Sequence, residues 1–89
     1  MEEIARFDGD EGYYEWSTIV IWKRGDQWAI DSQYGCSCNY YERPSEDKLY
    51  WHRDIAAART AFDAEIDWAY LFSNAASAEA KSKARELIR

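Results

Sequence analysis

The chain's two cysteines, Cys36 and Cys38, sit one residue apart in D-S-Q-Y-G-C-S-C-N-Y-Y-E-R-P, which runs from Asp31 to Pro44. Thiolates at this spacing can chelate a metal if they share a sharp turn, with His52 and Glu42 or Asp54 completing the ligand set. That is half of a structural zinc pattern, because such sites usually add a second cysteine pair or two histidines. Either cysteine as a nucleophile needs a base to draw off its proton and donors for a developing oxyanion. His52 is the single histidine, and it stands in the run Tyr50-Trp51-His52 with no orienting motif beside it. The sequence therefore points away from an enzyme, and no catalytic, cofactor-binding or metal-ligating residue is assigned. The reading adopted for the stretch is a compact turn joining sheet to helix. In it Gly35 supplies an unusual backbone angle, Cys36 and Cys38 fill space as small buried side chains, and Glu42 accepts from turn amides. Both cysteines are expected to be reduced, since a bridge across one intervening residue closes a very small ring.

The turn follows a clear hairpin signal. From Tyr13 to Gln33, a stretch rich in β-branched and aromatic residues is interrupted by a turn signal at Gly25-Asp26. With Gly25 at the first position of a two-residue type II′ loop, Ile21 pairs with Ile30, Ile19 with Ser32 and Lys23 with Trp28. Those residues share one face, and Trp16, Thr18, Val20, Trp22, Ala29 and Asp31 share the other. One face is expected to receive helices; the other is either covered by the N-terminal segment or left as a contact surface. Ile4 to Phe7 reads as a short third strand. Asp54 is placed to cap a helix over Ile55–Phe72, with Ile55, Ala58, Phe62, Ile66, Ala69 and Tyr70 as its inner stripe. Ala57, Ala61, Ala64, Trp68, Leu71 and Phe72 widen that stripe into an apolar arc. A second helix starting at Ser73-Asn74 or Ser77 would bury Ala76, Ala80, Ala84, Leu87 and Ile88. Between hairpin and helix, Pro44 to Asp47 reads as a loop or short helical turn, and Leu49, Tyr50 and Trp51 as a pin to the core. The expected fold is a single α+β domain over residues 1–89. Its antiparallel sheet has two to four strands, built on the Gly25-Asp26 hairpin and packed against one long helix and a C-terminal helix.

Composition narrows the functional classes. A net charge of −6 argues against electrostatic binding to nucleic acid or anionic lipid and favours basic partners. Glu2, Glu3, Asp8, Asp10, Glu11 and Glu15 face only Arg6 in the first fifteen residues, so an acidic mimic of nucleic acid is an alternative reading. A metal-binding module built on the C-x-C turn is another. Fifteen aromatic residues, five of them Trp and seven Tyr, exceed what one small core usually hides. Trp and Tyr are enriched at the centres of protein interfaces. Trp16, Trp22, Tyr13, Tyr14, Tyr40 and Tyr41 are accordingly the candidate partner-binding residues. An exposed apolar sheet face would also suit homodimerisation. No apolar run approaches the roughly 18 residues of a membrane span, and no signal core follows a charged start, so a cytoplasmic protein is expected.

A strand ending in Trp22, then Gly35-Cys36-Ser37-Cys38 with Glu42 four residues on, resembles a group of small accessory proteins encoded by phages of actinobacteria. Relatives in that group carry a proline soon after the second cysteine and an aromatic before the glutamate. Here Asn39 replaces the proline and Tyr41 keeps the aromatic. The resemblance covers the middle third of the chain and implies a phage accessory setting without a reaction, cofactor or site. The expected function is that of a non-enzymatic factor that binds and modulates a host protein in the host cytoplasm.

Overall fold

Two ten-residue runs rich in Ile, Val, Trp and Tyr flank Gly25-Asp26 and form β2 (Glu15–Arg24) and β3 (Gln27–Cys36) of a computed structural model that describes residues 1–10 and 14–89. Gly25 has a φ of 59° while Asp26 stays at negative φ, the signature of a type II′ loop. The register is the expected one: Ile21 opposite Ile30, Ile19 opposite Ser32, Lys23 opposite Trp28. Strand β1 (Glu2–Asp8) adds antiparallel to the other side of β2, giving the order β1-β2-β3. A register shift between Glu3 and Ala5 sets Ala5 against Ile21 and Phe7 against Ile19, so both small and large apolar residues of β1 join the face that the helices cover.

On that face Ile19, Ile21 and Trp28 pack with Ala58, Phe62 and Ile66 of helix α1 (Ile55–Trp68) and Ala80 and Ala84 of α2 (Asn74–Leu87). Both helices begin at side-chain caps. Asp54 accepts from the Ala56 amide at 2.9 Å and Ser73 from the Ala76 amide at 3.1 Å. Arg59 donates to the carbonyls of Arg85 and Ile88, satisfying groups that the end of α2 leaves without helical partners. Two ion pairs, Arg85 with Asp63 and Lys81 with Asp67, line the outer seam between the helices.

Helix α1 ends four residues earlier than its sequence pattern suggests. Leu71 has a φ of 69°, and its carbonyl accepts from the Asp10 amide at 2.6 Å. The connection between the helices is thereby drawn onto the β1–β2 loop. Gly9 permits this approach, since a Cβ there would lie 3.0 Å from the Leu71 carbonyl oxygen. A backbone hydrogen bond to Asp10, just beyond β1, thus accompanies the end of the helix.

The opposite sheet face is closed, by a different segment from the one expected. Val20, Trp22 and Ala29 are buried beneath Tyr41, Leu49 and Trp51, with Met1 at the margin. The connection from β3 to α1 runs back antiparallel along β3 as a strap, tied at two points. The Gln33 side-chain amide exchanges hydrogen bonds with both backbone groups of Glu42, and Trp28 exchanges two backbone bonds with His52. A short 3-10 turn, Glu46–Lys48, lies between the ties. Within the strap Leu49 and Trp51 pack inward as expected, but Tyr50 is exposed. The apolar centre of this face is therefore covered from within the chain.

Candidate functional site

The helix-facing side of the sheet outlasts the helix that covers it. Strands β2 and β3 each span about 33 Å at ~3.3 Å per residue, whereas the fourteen residues of α1 reach about 21 Å. Along this side β2 reads Ile21, Ile19, Ser17, Glu15 and β3 reads Ile30, Ser32, Tyr34, Cys36 toward the uncovered end. The change from Ile to Ser lowers the floor just where α1 stops. The result is a groove of about 760 Å³. Ser17, Ser32 and Gly35 are among its lining residues, as are Tyr34, Trp68, Ala69 and Tyr70, with the carboxylates of Glu15 and Glu65.

Three large aromatic side chains of this groove are open to solvent: Trp68 is 89% exposed, Tyr34 77% and Tyr70 54%. Trp68 departs from the sequence reading, which placed it on an inner arc. Its position two residues after buried Ile66 turns it about 200° around the helix, away from the core. The arc residues Ala57 and Ala64 are exposed for the same reason. Tyr70, expected on the inner stripe, escapes burial because the helix has ended. Its hydroxyl is hydrogen-bonded to Glu15, which holds the phenol pKa above its ordinary value.

The residues singled out from the sequence take up three different roles. Trp22 is 1% exposed and belongs to the second core, because the strap lies over it; it is not surface in the fold. Its indole N–H donates to the Tyr41 hydroxyl at 3.2 Å, and that hydroxyl donates to Asp31 at 2.7 Å. Burial, followed by the bond to Asp31, raises the Tyr41 phenol pKa well above its usual range. Tyr41 is thus part of the strap's attachment. Trp16 is half-buried and pins the cysteine turn, its indole N–H lying 2.9 Å from the Cys36 carbonyl and 3.0 Å from that of Asn39. Tyr14 and Tyr40 are exposed, at 68% and 81%. Tyr13 lies outside the described residues, as does Glu11.

The turn itself differs from expectation in four respects. Cys36 and Cys38 are joined by a disulfide, their Cα atoms 5.4 Å apart, within bridging reach. Both cysteines are exposed rather than buried fillers. Gly35 is not at positive φ; a Cβ there would meet the side-chain amide of exposed Asn39, which would have to move aside. Glu42 is held through its backbone by Gln33, where its carboxylate was expected to act. The metal reading required Cys36, Cys38, His52 and a carboxylate to converge. Among the described residues no group of three or more His, Cys, Asp or Glu side chains is arranged to hold a metal. His52 instead lies against the Tyr50 ring, with centroids 4.7 Å apart.

The N-terminal carboxylates are dispersed in their contacts. Glu3 pairs with Arg6 at 3.0 Å, Asp8 accepts from Thr18 at 2.6 Å, and Glu15 takes the Tyr70 hydroxyl. Among the described residues no helix is long and apolar enough to cross a membrane.

What the groove offers chemically is aromatic surface and negative charge on a rigid sheet end. No family model, curated protein or solved structure matches this chain.

Proposed function

We propose that this protein is a non-enzymatic binding factor, of the phage accessory kind, that docks on a host protein and alters its activity. The observation that carries the reading is the set of three exposed aromatic residues, Tyr34, Trp68 and Tyr70, around one groove between the sheet end and α1. Rigid Trp and Tyr side chains provide large contact area at little entropic cost and dominate binding energy in interfaces. A small domain gains nothing in stability from an 89% exposed tryptophan, so the placement fits contact with something else. The acidic net charge of −6 supports a basic partner and opposes direct nucleic-acid binding.

The test uses the purified full chain and its Tyr34→Ala/Trp68→Ala double variant. Each is immobilised to capture host proteins, and a captured protein is then purified and titrated against both forms by calorimetry. The expected result is a dissociation constant at least about tenfold weaker for the variant, a loss of about 1.4 kcal/mol, at unchanged thermal stability. Equal affinity for both forms would remove the groove from the contact and sink the reading.

A further inference from the structure

Four other aromatic rings in this protein each carry a cation of their own. Arg6 sits over Tyr41 at 4.7 Å, Lys23 over Trp28 at 5.0 Å, Arg24 over Trp51 at 4.3 Å and Arg43 over Trp22 at 4.9 Å. All four distances fall within the roughly 6 Å over which a ring quadrupole attracts a cation. The groove rings of Tyr34, Trp68 and Tyr70 have no such partner among the described residues, although they are more open to one than the four rings that do. Two carboxylates, Glu15 and Glu65, line the same groove, and among the described residues no Lys, Arg or His does. Neither carboxylate is in an ion pair among the described residues.

We infer that the groove is a receptor for a cationic side chain, an arginine or lysine presented by a basic peptide segment of the partner. The inference rests on the proposed docking function and names the chemistry recognised there. Aromatic faces and carboxylates both favour a cation, and they act together when a partner excludes water from around them. A volume of about 760 Å³ leaves room for a long side chain with part of its backbone. Ser17 and Ser32 leave the floor low enough for the aliphatic stem of such a side chain to lie against the sheet.

The probes are a blocked peptide of alternating glycine and arginine and its citrulline counterpart, in which a neutral urea replaces each guanidinium. Each is titrated into the isotopically labelled full chain and followed by NMR. The arginine peptide should shift the Trp68 indole N–H and the Tyr34 ring signals, and the citrulline peptide should leave them in place. Trp68→Ala, and separately Glu15→Gln with Glu65→Gln, should each weaken arginine-peptide binding by about tenfold. Both substitutions are at exposed positions, so the fold is retained and can be confirmed from the same spectra. Equal binding of the two peptides, or shifts confined to the N-terminal carboxylates, would overturn the cation assignment. A host partner whose affinity depends on Tyr34 and Trp68, together with an arginine peptide that does not bind, would overturn this inference while leaving the docking function standing.

Discussion

Trp22 and Trp68 are the same residue type in apolar surroundings of sequence, yet one is 1% exposed and the other 89%. Trp22 belongs to a region where the chain returns to cover its own aromatic side chains. The strap lays Tyr41 and Trp51 against it, a hydrogen-bond chain from Trp22 through Tyr41 to Asp31 fixes the strap, and Arg43 lies over the indole. Trp68 belongs to a region where covering stops: α1 ends and the strand positions beneath change from Ile to Ser. The comparison teaches that aromatic surplus is a property of coverage rather than of count. An aromatic residue becomes a contact candidate when no later segment returns over it.

The sharpest way to break this contrast is to truncate both tryptophans. Trp22→Ala should lower unfolding free energy by about 3–5 kcal/mol, the range for emptying a buried aromatic site. Trp68→Ala should change it by less than about 0.5 kcal/mol. Urea denaturation of the two variants checks this, and similar losses would mean that the two regions are not different in kind.

The strap's attachment is probed by Gly35 and Tyr41. Gly35→Ala brings a methyl group against the exposed Asn39 side chain, which must move aside, and should cost about 1 kcal/mol, and adding Asn39→Gly should recover most of it. Failure of that recovery in thermal melts would place the cost elsewhere. Tyr41→Phe removes the bond to Asp31 and the acceptor of the buried Trp22 indole N–H, and should cost about 1–3 kcal/mol at neutral pH. Tyr41 also predicts a pH dependence. Burial and the Asp31 bond favour the protonated phenol in the fold, so this contribution is complete below about pH 10 and is lost as the pH rises above it, where the unfolded chain ionises first. Stability measured across that range should fall less steeply for Tyr41→Phe than for the natural chain.

The smallest expected effects lie at the caps. Asp54→Ala and Ser73→Ala should each cost about 1 kcal/mol or less, because each removes one accepted hydrogen bond at an exposed helix start. A double variant losing much more than the sum would show that the two helices depend on one another through the seam of Asp63, Asp67, Lys81 and Arg85.

Much of the candidate site's frame was legible locally. Gly25-Asp26 sets the hairpin register, and the register decides that Ser17, Ser32 and Tyr34 share the face of Ile19 and Ile21. Asp54 marks where α1 begins, because a capping carboxylate acts on amides two residues away. The groove itself was not legible. Tyr70 continues the inner stripe of a longer helix and is exposed only because α1 ends early, whereas Trp68 lies about 200° round α1 from Ile66 and was drawn inward only by reading the apolar arc too widely.

What the amino-acid sequence determined by itself is the hairpin with its turn, register and alternation, and two helices, the first with its cap at Asp54. These follow from interactions between residues close in the chain, where backbone preference, capping and side-chain period speak without reference to distant parts. Only the tertiary structure decided which aromatic residues are covered. That outcome depends on the return path of the strap from Asn39 to Trp51, on the Asp10 amide meeting the Leu71 carbonyl, and on the Asn39 side chain lying against Gly35. Each is a contact between residues far apart in sequence or dependent on exact packing, and burial is the sum of such contacts.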